Sequence, residues 1–140
     1  MQIVVIDGQG GRMGGALIER IKATLPEHTC IAIGTNSIAT AAMLRAGADA
    51  GATGENPVIV NARTADVIAG PIGILVSNAL YGEVTPAMAR AIGESAAVKL
   101  LLPVNRCSNI VIGVKDQSLA DQIREAVGRI KALAKDTEVR

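Results

Sequence analysis

A short β-branched run, Gln2–Ile6 (QIVVI), stops at Asp7 and gives way at once to a glycine cluster, with Gly8, Gly10, Gly11, Gly14 and Gly15 inside eight positions. From Arg12 or Met13 onward the apolar residues Met13, Leu17, Ile18, Ile21 and Leu25 recur at three- and four-residue spacing until Pro26. That period belongs to an amphipathic helix and the preceding run to a buried strand. Strand, glycine turn and helix in direct succession constrain the chain strongly. Glycine lets the backbone reverse out of the strand with φ > 0, and it leaves room for the helix to pack on the strand. The unpaired amides and positive dipole end of the helix then favour an anion. Gly8, Gly11 and Gly14 form a G-x-x-G-x-x-G spacing, and Gly8-x-Gly10 is the first half of the dinucleotide-binding pattern. Met13 stands where G-x-G-x-x-G requires its last glycine. The turn Gly8, Gln9, Gly10, Gly11, Arg12, Met13 and Gly14 is therefore a candidate phosphate site, with a purely structural tight turn as the competing reading.

Further along, alternation of strands and helices continues. Cys30–Ile33 is a second apolar run closed by Gly34, with Asn36 or Ser37 placed to cap a helix that ends near Gly47. Gly51–Pro57 reads as a loop, and Val58–Val60 and Val67–Ala69 as short strands separated by a turn. Gly70-Pro71 is expected to open a helix through Ile72–Leu80, and Thr85-Pro86 a further one to about Ser95. Val98–Leu102 and Asn109–Val114 are the last expected strands, and Leu119–Ala134 the last helix, capped by Ser118. This order predicts one α/β domain over residues 1–140, a three-layer Rossmann-like fold with a mainly parallel sheet and right-handed crossovers. Composition agrees: hydrophobic residues make up 49% of the 140, yet Tyr81 is the single aromatic. A core of Ile, Val, Leu, Ala and Met suits a sheet covered closely on both faces.

Dinucleotide-binding folds commonly carry an acidic residue about 20 residues past the turn, at the end of the second strand, to bind ribose hydroxyls. Here that place reads Gly34-Thr35-Asn36-Ser37, without a carboxylate. Thr35, Asn36 and Ser37 are left as candidates for a ribose hydroxyl or a 2′-phosphate, with Arg12 as a nearby charge. Plain helix capping is the main role expected of Asn36 and Ser37. Ligands in open parallel sheets sit at the carboxyl ends of the strands. By that rule Asp7, Asn61, Gly70-Pro71, Asn105-Arg106-Cys107 and the loop Thr53-Gly54-Glu55-Asn56 join the same rim, with Glu55 and Asn105 the ligand candidates among them. Asp7 is expected to bond backbone amides of the glycine turn rather than to act as an acid or base. Cys30 is expected in the core, Cys107 as an ordinary thiol and His28 as a solvated loop residue.

Two resemblances follow from these residues. The turn Gly8-Gln-Gly-Gly-Arg-Met-Gly14, followed by Ala16-Leu17-Ile18, is similar to the cofactor-binding start of dihydrodipicolinate reductases, a family that holds a reduced nicotinamide cofactor at a G-x-x-G-x-M-G turn. The likeness is confined to that start. The histidine- and lysine-bearing catalytic motif and the substrate domain of that family have no counterpart here, so it implies a cofactor-type turn and not that activity. Over nearly the whole chain, the runs VVIDGQGG, IGTNSIATAAMLRAGADAGATGEN, ADVIAGPIGI and LLPVN resemble a family of small uncharacterised bacterial proteins, a domain of unknown function.

The expected function is thus binding of a small phosphorylated ligand: NADP, NAD or another nucleotide. The competing expectation is a non-catalytic ligand-sensing or scaffold protein that binds a phosphorylated metabolite and acts through partners. No catalytic pair is recognisable, and two scattered cysteines with one histidine do not form a zinc pattern. With 14 basic against 13 acidic residues and one aromatic, nucleic acid is not an expected partner. No apolar run of membrane-spanning length is visible, the N-terminal MQIVVID reads as a strand rather than a leader, and the expected setting is cytoplasmic. A mean hydropathy of +0.36 points to apolar surface covered in a homo-oligomer.

Overall fold

A computed structural model of the chain describes residues 1–104 and 108–139. Five strands, β1 (Gln2–Asp7), β2 (Thr29–Gly34), β3 (Ala50–Thr53), β4 (Val67–Pro71) and β5 (Val98–Leu102), form one sheet in the order β3-β2-β1-β4-β5. Every pairing is parallel. Helices α1 (Arg12–Thr24), α2 (Ser37–Arg45), α3 (Glu55–Ala62), α4 (Pro86–Glu94) and α5 (Leu119–Val139) connect or follow the strands. The expected Rossmann-like α/β domain is the observed fold.

Alternation along β1 divides the core into two layers, as the two-residue period of a strand requires. Ile3 and Val5 face α1, α2 and α5, meeting Leu17, Ile18, Met43, Val127 and Ile130. Val4 and Ile6 face α3 and α4, meeting Val58, Ile74, Met88 and Ile92. All four β1 residues are buried, which accounts for the unbroken apolar run in the sequence.

Three expected elements differ. Val58–Val60 is not a strand but part of α3. Its β-branched residues are overruled by packing: Val58 and Ala62, four apart, are both buried against the α4 layer. The third strand lies instead in the expected loop, at Ala50–Thr53. Ala-Gly-Ala-Thr carries no β signature, and Gly51 gives room to Leu44 of α2, which lies over it; a Cβ there would come within 2.9 Å of Leu44 Cγ. The expected helix over Ile72–Leu80 is a four-residue 3₁₀ turn, Ile72–Leu75, followed by an irregular segment, and Gly70-Pro71 is the end of β4 rather than a helix start. Asn78, Leu80 and Tyr81 adopt left-handed φ of 64, 56 and 56°, which no helix accommodates. Asn109–Val114 contains no strand, and Ile110 and Ile112 are exposed.

The strand order places the chain reversal between β1 and β4. From β1 the chain winds outward through β2 to β3, then crosses to the other side of β1 and winds outward again to β5. Pairing of β1 with β4 stops at Val5↔Ala69. Beyond it Gly70 crosses so near β1 that a Cβ would stand 2.3 Å from the Ile6 carbonyl oxygen. The loops after β1 and β4 therefore flank the switch point of the sheet, where this architecture forms its crevice.

Within the glycine turn, Gly11 has φ +69°, and an added Cβ would lie 2.7 Å from both Cα and the carbonyl oxygen of Ala39 in α2. Gly11→Ala is expected to lower stability by at least about 2 kcal/mol, from left-handed strain plus backbone overlap. A Cβ on Gly10 would meet only Arg12 Cγ, at 3.8 Å. Gly10→Ala is expected within about 0.5 kcal/mol of the parent. Denaturant midpoints of the two variants check the contrast.

Candidate functional site

The turn is organised by a buried carboxylate. Asp7, the last residue of β1, accepts a hydrogen bond at Oδ1 from the Gly8 amide (2.8 Å) and at Oδ2 from the Gly14 amide (2.7 Å). This is the backbone-bonding role expected from the sequence. Burial pushes the Asp7 carboxyl up from its ordinary value; the Gly14 and Gly8 amides pull against that, and the charge of Glu83 adds to it. The Gly11 amide is satisfied by the Gly8 carbonyl and the Gly15 amide by Gly11. Gly11, at the N-cap of α1, offers no side chain to the helix. Among the described residues the amides of Arg12 and Met13, the first two of α1, meet no acceptor, nor does that of Gly10. These are the orphan donors that a helix start presents to an anion.

Beside the turn stands Glu83, which the sequence reading passed over. Its carboxylate accepts from the Gln9 amide (3.1 Å to Oε1, 3.3 Å to Oε2), from Thr35 Oγ1 (2.9 Å to Oε1) and from Asn36 Nδ2. Asn36 also donates to the Gln9 carbonyl (2.9 Å), while its Oδ1 caps α2 by accepting from the Ala39 amide (2.9 Å). Gln9, Thr35 and Asn36, three of the residues singled out in the sequence, are thus gathered around one carboxylate. The loop that delivers it is closed by the Asn78 amide on the Val84 carbonyl (2.7 Å) and the Val84 amide on Ala79 (3.1 Å). Leu80 is buried over Gly8; a Cβ on that glycine would stand 2.7 Å from Leu80 Cδ1 and 2.6 Å from Thr35 Oγ1. Partial burial raises the Glu83 carboxyl, but the bonds from Asn36, Gln9 and Thr35 outweigh it and hold the group below the ordinary carboxylate range.

A model of one protein family, described as "Domain of unknown function (DUF3842)", matches residues 2–135. The chain belongs to that family. No functionally curated protein matches it significantly. Among solved structures it is similar to a dodecameric FMN-dependent Ubix-like decarboxylase from Escherichia coli O157:H7, with a TM-score of 0.46 and 13% identity over 96% of this chain and 94% of that one.

In this member of the DUF3842 family the remaining candidates are scattered. Ser37 is the exposed first residue of α2 and makes no bond to the turn among the described residues. Glu55 opens α3 after β3, two strands or roughly 10 Å from β1, outside the Glu83 cluster. Asn105, with Arg106 and Cys107, lies outside the described residues. Asn61 is not on the rim: it sits inside α3 and donates to the Pro57 carbonyl (2.8 Å). Cys30 is fully buried, and burial, with the charge of Asp49, pushes its thiol up to about 12, so it is inert near neutrality. His28 is not solvated as expected; its ring is 10% exposed and lies 3.2 Å from the Met1 amine through Nδ1. The described residues hold no cluster suited to a metal ion, and none of their helices is long and apolar enough to cross a membrane.

Because the Glu83 carboxyl is depressed in the folded protein, its ionised form adds stability above the unfolded value and loses it as pH falls through the folded value. Glu83→Gln is expected to melt below the parent at neutral pH, with the difference closing once the pH drops below the ordinary carboxylate range. Melting temperatures of both proteins across pH check this.

Proposed function

We propose that this protein binds a nucleotide or dinucleotide, with a phosphate against the amides of Gly10, Arg12 and Met13 at the start of α1. The observation that carries the reading is the state of those donors. Asp7 and the turn's own carbonyls take the amides of Gly8, Gly11, Gly14 and Gly15, and leave three neighbouring ones without an acceptor among the described residues. Gly10 adds to it. Its φ is not left-handed, and nothing but Arg12 Cγ stands within 4 Å of its missing Cβ. Neither strain nor packing requires glycine there, whereas close approach of a phosphate does. The exposed Arg12 side chain supplies a positive charge at the same place. The turn also faces the switch point between β1 and β4, the crevice in which sheets of this order take their ligands.

A thermal-shift panel of NAD, NADP, ATP, GTP and FMN tests the reading. At 100 times its Kd a ligand of the folded state stabilises by about 2.7 kcal/mol, an upward shift of several degrees in a domain of this size. The expected result is a shift with at least one member that Gly10→Ala reduces at unchanged intrinsic stability. A panel without any shift overturns the proposal.

Self-association belongs to the same proposal. Ile110 and Ile112 are 86% and 91% exposed, and beside them an apolar groove of about 800 Å³ runs between β5 and α5 along Leu100, Leu102 and Leu133. Light scattering is expected to return a mass of at least two chains; a single species of monomer mass removes this part of the proposal.

A further inference from the structure

We infer that Glu83 is the ribose-reading residue of this site, so that the ligand is a nucleotide with free ribose hydroxyls and a 2′-phosphate is excluded. The inference rests on the proposed phosphate position and adds the neighbouring subsite. In folds of this type the residue that tells a ribose from a 2′-phosphoribose is a carboxylate at the end of the second strand, beside the glycine turn. Thr35 and Asn36 occupy that end and carry no charge. The charge is nevertheless there. It comes from the loop after β4, across the switch point, and lies in contact with both residues and with the second residue of the turn.

Lone-pair accounting separates this role from that of a plain tether. Oε1 accepts from Gln9, Thr35 and Asn36, and is saturated. Among the described residues Oε2 takes only the longer arm of the Gln9 bond, at 3.3 Å, and Glu83 is partly buried. One carboxylate oxygen, held in place by its neighbour, is thus left with acceptor capacity next to the turn. A ribose hydroxyl supplies the donor it lacks. A 2′-phosphate supplies only more acceptors and negative charge, which a fixed carboxylate rejects. Both outcomes follow from the same oxygen. The Arg12 charge sits at the helix start rather than in the Glu83 cluster; no bond joins it to Glu83, Thr35 or Asn36. A 2′-phosphate held by Arg12 and Asn36 together is not the arrangement this geometry favours.

Fluorescence titration of the full chain with NADH and with NADPH tests the inference, on the parent and on Glu83→Gln, with circular dichroism as the check on folding. The glutamine keeps the size and an acceptor for Thr35 and Asn36, but removes the charge and adds an NH2 donor. The parent is expected to bind NADH at least tenfold more tightly than NADPH. In Glu83→Gln the ratio is expected to fall below about threefold, by weaker NADH binding and stronger NADPH binding. A purely structural Glu83 would weaken both probes alike and leave the ratio unchanged, which overturns the inference while the phosphate site stands. Tighter binding of NADPH than NADH by the parent overturns it as well. Failure of both probes to bind, with a shift from FMN alone in the thermal panel, overturns this inference while the phosphate site stands, because FMN carries no ribose; a shift from ATP or GTP that Glu83→Gln leaves unchanged overturns it as well. Failure of every nucleotide overturns the phosphate site itself.

Discussion

The buried carboxylate of Asp7 is the point on which the site end of the molecule turns. Its two oxygens take the amides of Gly8 and Gly14, the residue that leaves β1 and the third residue of α1. One side chain therefore fixes both the exit from the central strand and the start of the first helix. The two bonds offset part of the cost of holding the group out of water. Gly14 must lack a side chain for this to happen, since a Cβ would stand 2.8 Å from Asp7 Cβ and 2.6 Å from Met43 Sδ. Gly11 must lack one for α2 to approach. With those two positions and Gly8 explained by packing, the glycine cluster no longer counts as a whole toward a ligand.

How much of this was legible in the sequence depends on whether local pattern and tertiary packing agree. At β1, α1 and β2 they agree: a β-branched run, a glycine turn, a 3.6-residue period and an Asn cap each mean what they locally suggest. The centre of the sheet and the fold class were readable for that reason. At the edge they diverge. The strand signature of Val58–Val60 lost to a helix that buries Val58 and Ala62 on one face, and Ala50–Thr53 became a strand only because β2 offered an edge and Leu44 needed a flat surface. Small residues at an edge strand are chosen by their neighbours, and nothing in a single sequence displays the neighbours.

Glu83 shows the same limit at the site. Gln9, Thr35 and Asn36 could be singled out because each stands directly after a strand, where the chain itself brings them to the rim. Glu83 follows β4 by more than ten residues, and the apolar letters from Ile72 to Leu80 imitate a helix that would have carried it elsewhere. The left-handed residues Asn78, Leu80 and Tyr81 fold that segment back over the turn instead. One signal was available: a Gly-Glu pair, Gly82-Glu83, just before the Thr85-Pro86 helix start, in the connection after β4, the strand that pairs with β1 across the reversal.

The loop's conformation bears on what Glu83 is for. Left-handed non-glycine residues cost free energy, of order 1–3 kcal/mol each where the region is sparsely populated, and persist where the surroundings over-determine them. Here three lie within four positions, closed by backbone bonds at both ends and anchored by Leu80 in the core. Tethering the loop does not require Glu83, because Leu80 and the Asn78–Val84 bond already do so. A carboxylate with both oxygens turned to the solvent would serve solubility equally well without any strain. What the strain accomplishes is specific: it brings one charge to the end of β2, where the chain's own sequence has none, and sets it on the Gln9 amide, Thr35 and Asn36. With the Asp7 carboxyl below the turn and the Glu83 carboxylate beside it, the proposed phosphate would be held on the side toward Arg12. In that proposed arrangement the part of the site that accepts negative charge is set apart from the part that refuses it, over the distance of a few residues.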